Sequence, residues 1–275
     1  MKSETDTKLD FDWPFQAGVV DKVLNELEVK VRRKNRRRRN VATAASCAGL
    51  TCAVLFWAVP LWKHTSTIST NSAERRSLTL EDGSRVDMSA RTKLHTDFRY
   101  GRRIVALDQG EAFFSVAKDH GRPFLVETPL GTVRVTGTVF DIRLADPKDA
   151  DVTLMEGSIS LERPATEPLK LKPTEQVSIS GADSSVRTLS SSELENISAW
   201  REGRVVFSGL TLSQVAQRLA AYFGSPIVVA PEVVNLQPGG SAPLQDLKSV
   251  LGALEEALPI RVISLDDGSY QLQPR

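Results

Sequence analysis

The chain has 275 residues, a formal net charge of +1 and two cysteines. Its first 40 residues hold 11 basic and 7 acidic side chains, whereas the 213 residues from Lys63 onward hold 24 basic and 27 acidic ones. This slightly acidic charge argues against nucleic-acid binding by the larger part of the chain. Both cysteines precede Lys63, so a core in the larger part must form without disulfides.

The first 40 residues predict a short tail with one amphipathic helix. Four apolar residues in it have the spacing i, i+4, i+7, i+11, which puts them on one helical face: Val20, Leu24, Leu27 and Val31. One short helix cannot bury such a face against itself, so two interpretations stay open. The face lies on lipid headgroups, or it docks on a partner protein inside the cell.

Residues 41–62 carry no charge and predict one transmembrane helix. A helix of that length reaches about 33 Å, enough to cross a hydrocarbon core of about 30 Å. Directly before it, eight of the ten residues at 30–39 are Lys or Arg. This positive bias predicts a cytoplasmic N-terminus and outer C-terminal domains. The arginines nearest the apolar run are the ones that orient it: Arg36, Arg37, Arg38 and Arg39.

Other interpretations of the same stretch fit less well. A cleaved signal peptide has an apolar region of about 7–15 residues near the chain start, but this run is longer, begins at residue 41 and ends in Leu61-Trp62. A lipid anchor at Cys47 or Cys52 is disfavoured because apolar sequence continues on both sides of each. The position of the basic block against the predicted span favours an orienting and lipid-binding role over nucleic-acid binding.

Residues 77–180 predict an all-β domain. Short segments alternate apolar and polar residues, and turn dipeptides such as Asp82-Gly83 and Glu156-Gly157 separate many of them. Many short strands with almost no helical period predict a sandwich, a barrel or a solenoid-like stack. The candidate core residues are Phe113, Val116, Phe124, Val126, Val135, Val139 and Ile142.

The last part of the chain predicts a connection followed by a small α+β domain. Residues 164–198 contain three prolines and a serine-rich stretch, which predict a linker or peripheral strands. From residue 199 a strand leads to a helix, with Thr211 and Gln214 at capping-box spacing and Gly224 at its end. After a strand at 227–230, a second helix is predicted between Pro243 and Pro259. A hairpin of two strands, at 260–264 and 270–273, closes the chain.

Five motifs of the β region resemble the FecR domain, the extracytoplasmic part of transmembrane anti-sigma regulators in bacterial cell-surface signalling. In order they are LEDGS at 80–84, GEAFF at 110–114, RPFLVETP at 122–129, GTVF at 137–140 and LMEGSI at 154–159. Their role is structural, since the glycines suit positive φ or close backbone approach. The motif residues are Asp82, Gly83, Gly110, Phe114, Phe124, Gly137, Phe140 and Gly157.

The α+β region is similar to the STN module found in secretins and in signalling TonB-dependent receptors. The segment AWREGRVVF at 199–207 also resembles the sequence that FecR proteins carry before that region. The expected fold is therefore membrane-anchored, with an all-β FecR domain and an STN-like α+β domain after one transmembrane helix. The expected boundaries are a tail at 1–40, a span at 41–62, a FecR-like domain at 75–163, a linker or peripheral strands at 164–198, and an STN-like domain at 199–275.

The resemblance implies a single-pass inner-membrane signal transducer, with its C-terminal domains in the periplasm. Its partners would be an extracytoplasmic-function sigma factor inside and the signalling domain of a TonB-dependent receptor outside, in the regulation of iron or nutrient uptake. The cytoplasmic domain of the family is about twice as long as this 40-residue tail. A shortened tail leaves an alternative open, a membrane-anchored periplasmic scaffold or adhesion module without sigma-factor regulation.

No motif of an enzyme is present in the sequence. It has no G-x-S-x-G elbow, no P-loop and no H-E-x-x-H. Its three histidines, His64, His95 and His120, are scattered, without acidic or cysteine neighbours at metal-ligand spacing. The sequence therefore predicts neither catalysis nor a cofactor.

Overall fold

The computed structural model describes residues 66–146 and 148–275. The tail, its apolar face, the basic block and the predicted span at 41–62 lie outside the described residues, so they remain predictions. Within the described part of the chain, no helix is long and apolar enough to cross a membrane.

Thirteen strands build the first part of the structure. They are β1 (Ser66–Ser69), β2 (Arg76–Thr79), β3 (Arg85–Met88), β4 (Lys93–Asp97), β5 (Arg103–Ser115), β6 (Phe124–Thr128), β7 (Gly131–Val135), β8 (Val139–Asp146), β9 (Asp149–Glu156), β10 (Ile159–Glu162), β11 (Leu169–Leu171), β12 (Glu175–Ser180) and β13 (Asp183–Thr188). The sheet thus begins at Ser66, nine residues before the expected boundary, and β11 to β13 fall within residues 164–198.

The strands form a β-sandwich, one of the predicted alternatives. Sheet A has the order β1-β4-β5-β6-β7-β10-β11, and sheet B has the order β2-β3-β5-β8-β9-β12-β13. Strand β5 belongs to both sheets, because its first half pairs with β4 and β6 and its second half pairs with β3 and β8.

Gly110 is the residue at which β5 passes from sheet A to sheet B. It has a φ of +89°, and a Cβ there would lie 2.6 Å from Thr92 Cα. The partner changes at this point, since Gln109 pairs with Lys93 of sheet A and Gly110 pairs with Leu144 of sheet B. A glycine is required here both by its backbone conformation and by the close approach of the neighbouring chain.

The core lies between the two sheets and centres on three aromatic residues. Phe114 stacks on Phe140 with ring centroids 4.9 Å apart and meets Phe124 edge-on at 6.3 Å. All three are fully buried. Of the candidate core residues, Phe113 is buried as predicted, at 4% exposed, but lies outside this cluster, and Val139 is half-buried and also lies outside it. Each precedes one of the buried phenylalanines, so strand alternation turns it to the outer face of sheet B.

The second part of the structure comprises three helices and five strands. They are α1 (Ser191–Ser198), β14 (Arg204–Val206), α2 (Leu212–Phe223), β15 (Ile227–Val229), β16 (Ser241–Pro243), α3 (Leu247–Ala257), β17 (Ile260–Ser264) and β18 (Tyr270–Pro274). We call residues 199–275 the C-terminal module. It has a core of its own, formed by the buried faces of α2 and α3 against the short strands around them.

The helix signals of this module are largely where the sequence predicts them. Thr211 and Gln214 make the capping box of α2, and Gly224 ends that helix in the left-handed conformation. The start of α3 differs from the prediction. Pro243 ends strand β16 instead of opening the helix, and Asp246 caps α3 by accepting a hydrogen bond from Ser249 N at 2.8 Å. The Asp246 carboxylate pairs a backbone N–H of the first helical turn that would otherwise have no partner. A proline side chain has no acceptor atom that could do so.

Candidate functional site: the interface between the sandwich and the C-terminal module

The outer face of sheet B carries charged residues where a sandwich usually faces water. Glu111 on β5 lies opposite Arg143 on β8, Phe113 lies opposite Asp141, and Arg143 lies opposite Asp151 on β9. Alternate residues of a strand point to the same face, so these five side chains share one surface. We call them the docking face, because the C-terminal module covers them.

The C-terminal module is attached to the docking face through Arg201. Its guanidinium lies over the ring of Phe113, 3.9 Å from the centroid, and its Nε donates to Asp87 Oδ2 at 2.7 Å. Burial acts to raise the pKa of Asp87, but hydrogen bonds from Ser77, Arg201 and Arg85 outweigh it and lower the pKa below its ordinary value. Asp87 is therefore ionised at neutral pH, and its pair with Arg201 holds the two parts together.

A second attachment comes from the loop between β1 and β2. Arg75 Nη1 donates to the carbonyl oxygens of Trp200 and Arg201 at 3.1 and 2.8 Å, and Ala73 N donates to Tyr222 O at 2.8 Å. Ala73 adopts a φ of +57°, an uncommon conformation for a residue other than glycine. The module therefore contacts the loop that directly follows the first described strand.

Beneath these contacts lies a cluster of five charged residues: Glu111, Asp141, Arg143, Asp151 and Arg218 of helix α2. Arg143 Nη2 donates to Asp151 Oδ2 at 2.5 Å, and Ser178 Oγ donates to the other oxygen of Asp151 at 2.6 Å. Within residues 66–146 and 148–275 no carboxylate forms such a pair with Arg218, and its pKa is lowered by burial and then by the charge of Arg143. Three carboxyl groups thus face two guanidinium groups at a partly or fully buried location.

Asp141 is the least favourably placed member of this cluster. It is 2% exposed, and among the described residues its Oδ1 has no hydrogen-bond partner. Burial raises the pKa of Asp141 well above its ordinary value, and the neighbouring charge of Glu111 raises it further. Burial likewise raises the pKa of Glu111. The two acids therefore retain a proton more readily than either would in water.

The interface is incompletely packed. A cavity of about 100 Å³ lies between the two parts, with Glu111, Arg143, Trp200 and Arg218 among its lining residues. A second cavity of about 440 Å³ adjoins it, lined mainly by polar groups that include Arg143, Asp151, Arg187 and Arg218. Both cavities are partly open to solvent, and burying charges beside them is costly. Interfaces of this polar kind are typical of domains that move relative to each other.

All eight predicted motif residues lie in the strands of the sandwich or in the turns between them. Gly110 lines the smaller cavity. The other seven shape turns and fill the core: Asp82, Gly83, Phe114, Phe124, Gly137, Phe140 and Gly157. Asp82 also accepts from Arg103 Nη1 at 3.1 Å, with both side chains almost fully buried. Arg103 and the docking face could not be identified from the sequence, because the sequence alone does not distinguish a buried charged residue from an exposed one.

Within residues 66–146 and 148–275, no group of three or more His, Cys, Asp or Glu residues is placed to hold a metal ion. His95 lies on the surface of sheet A, where its ring nitrogens are 2.8 Å from Thr67 Oγ1 and from Asp108 Oδ2. These bonds join neighbouring strands, since Thr67 is the strand partner of His95.

Comparison with known proteins agrees with the resemblance found in the sequence. Residues 66–160 match the family model described as FecR protein. Two crystal structures of a putative anti-sigma factor from Parabacteroides distasonis ATCC 8503, at 1.65 and 2.50 Å resolution, are similar to this chain with a TM-score of 0.64 and 25% identity. The similarity covers 76% and 77% of this chain and 99% of those chains. No curated protein matches. The sandwich is therefore FecR-like.

Proposed function

We propose that this chain is a single-pass inner-membrane signal transducer that regulates an extracytoplasmic-function sigma factor. The observation that carries the proposal is the FecR match of residues 66–160, in a chain about three quarters of which resembles a protein described as a putative anti-sigma factor. The apolar run at 41–62 and the basic block before it support the topology, with the tail inside and the sandwich in the periplasm.

The C-terminal module is the part that we assign to signal reception. Its order is strand–helix–strand twice, with a core separate from that of the sandwich. That order supports an STN-like module, and such a module would bind the signalling domain of an outer-membrane TonB-dependent receptor. Binding there would change how firmly the module is held on the docking face, because Arg201 and Arg218 belong to the module and contact or face sheet B.

The contact with the β1–β2 loop supports a route from the module towards the membrane. Arg75 and Ala73 bond to the module, and they follow strand β1 closely in the chain. Ser66, the first residue of β1, comes three residues after Lys63. A change in docking would therefore act on the segment through which the outer part is tied to the predicted span.

The proposed binding of a sigma factor by the tail can be tested by substitutions on the apolar face of the tail. In a bacterial two-hybrid assay, residues 1–40 should recover a sigma factor of the same cell, and replacing Leu24 and Leu27 by Asp should abolish the signal, because two charges would interrupt the apolar stripe. Replacing Asn25 and Val29 by Asp adds the same charges to the opposite helical face and should leave the signal unchanged. Recovery of no sigma factor, by two-hybrid or by pull-down, would remove the regulatory half of the proposal.

A further inference from the structure

The loop between β4 and β5 projects from the end of sheet A at which the described chain begins. Strand β1 runs antiparallel to β4, and Ser66 is the partner of Thr96. The residues after Thr96 therefore continue beyond Ser66 at this end of the sheet. We call residues 98–102 together with Arg122 the arginine loop; a Cβ on Gly101 would lie 3.9 Å from Arg122 Cδ.

The loop exposes a tyrosine and an arginine, two residue types that are enriched at membrane interfaces. Tyr100 is 79% exposed, the highest value among the large hydrophobic residues described, and it has a left-handed φ of +53°. That conformation is unfavourable for a tyrosine, and no burial of the ring compensates for it. Arg102 is exposed and its side chain bonds to no other described residue, whereas Arg99 and Arg122 are paired with Asp97 and Asp119.

The length of the connecting chain limits how far this loop lies from a bilayer. Three residues separate Trp62, the end of the predicted span, from Ser66. Even fully extended, the four steps from Trp62 to Ser66 cover at most about 14 Å. The arginine loop extends beyond Ser66 on that same side, so the headgroup layer is within its reach.

We propose that the arginine loop docks on the outer leaflet of the inner membrane, with Tyr100 in the interfacial layer and Arg102 at the phosphates of anionic lipids. Tyrosine favours that layer because its ring is apolar and its hydroxyl is hydrated. Guanidinium groups bind phosphate oxygens through paired hydrogen bonds. This inference rests on the membrane-spanning topology of the proposed function.

Such docking would orient the outer part of the protein. Strand β1 ends at Ser69 opposite Lys93, at the other end of the β1–β4 pair. The loop that follows Ser69 is the one bonded to the C-terminal module through Ala73 and Arg75. With the arginine loop on the membrane, the part of the module that bonds to the β1–β2 loop lies at the end of sheet A away from the membrane, where an outer-membrane receptor can meet it.

The test is amide hydrogen exchange of the full chain in lipid nanodiscs, either of phosphatidylcholine alone or with about one third phosphatidylglycerol. We expect several-fold slower exchange of residues 98–102 in the anionic discs. Replacing Tyr100 by Ser and Arg102 by Gln should remove that difference. Replacing Leu265 by Ser and Arg261 by Gln, also exposed, should preserve it. Unchanged exchange of strand β5 checks that each variant is folded.

The outcomes separate the two proposals. If the full chain enters nanodiscs but residues 98–102 exchange equally fast in both lipids, the docking of the loop is contradicted while the topology stands. If the full chain does not enter nanodiscs at all, the topology fails and the docking fails with it. Equal lipid dependence of the Tyr100/Arg102 variant and the wild type would show that another part of the chain binds the lipid.

Discussion

Asp141 shows how a single residue can make an interface sensitive to its surroundings. In the docked arrangement it is 2% exposed, and its pKa is raised by burial and by the charge of Glu111. Arg143, Asp151 and Arg218 also face it, from β8, β9 and α2. If the module leaves the docking face, water reaches Asp141 and its pKa returns towards about 3.9. Docking and protonation of Asp141 are therefore linked.

The sign of this linkage gives a pH prediction. Because the pKa of Asp141 is raised in the docked state, its contribution to the free energy of unfolding is fully present below its ordinary pKa. This contribution is lost as the pH rises through the raised pKa. Replacing Asp141 by Asn mimics the protonated form, so we expect Asp141→Asn to match wild type in acid and to melt at a higher temperature than wild type at neutral and higher pH. Thermal melting of the full chain between pH 5 and 8 measures this.

Asp87 provides the matched control on the same interface. Its pKa is lowered in the docked state by Ser77, Arg201 and Arg85, so its contribution is present above its ordinary pKa and is lost as the pH falls through the lowered value. Asp87→Asn should therefore destabilise the protein at every pH of that range. A melting difference between Asp141→Asn and wild type that did not change with pH would contradict the linkage.

At the scale of elements, strand β5 holds the sandwich together because it serves both sheets. Gly110 allows the passage, with a φ of +89° and Thr92 against the position of its missing Cβ. Gly181, at the turn between β12 and β13, has a φ of +58° but no atom within 4 Å of that position. The two glycines share a left-handed backbone and differ in the space around them.

The pair of glycines gives a stability prediction. Gly181→Ala should cost about 1 kcal/mol of unfolding free energy, the usual penalty of a left-handed alanine. Gly110→Ala should cost roughly 1–3 kcal/mol more, because the added methyl group forces β4 and β5 apart. Urea unfolding followed by circular dichroism measures both. Equal losses in the two variants would mean that close approach does not explain the glycine at position 110.

The sequence predicts helices and strands correctly where residues close together in the chain determine them. The capping box of Thr211 and Gln214 and the end of α2 at Gly224 were placed correctly, and so were the strands that alternate around Phe114 and Phe140. Phe113 is buried as predicted, but its burial comes from Arg201, 88 residues away in sequence, and not from the core between the two sheets. The docking face could not be predicted for the same reason, since its burial arises only when the C-terminal module folds over it.

On the scale of the whole molecule, two folded parts with separate cores meet through a polar, charged and incompletely filled interface. Such an interface suits a part that is to be released or shifted, because the separated surfaces regain water for Glu111, Asp141 and Arg218. The β1–β2 loop bonds to the module next to the first described strand. We infer that the signal is a change in the position of the module, and that the tail transmits this signal to a partner in the cytoplasm.

The most direct test is to delete most of the tail and to keep the predicted membrane span. Deleting residues 2–28 leaves the basic block that includes Arg36 and Arg37, so the topology and the outer part should persist, which immunoblotting of membranes checks. The transcriptomes of cells with the full chain and with the deleted chain are then compared. We expect the genes of one sigma-factor regulon to change together. Identical transcriptomes would contradict it and would favour a membrane-anchored scaffold.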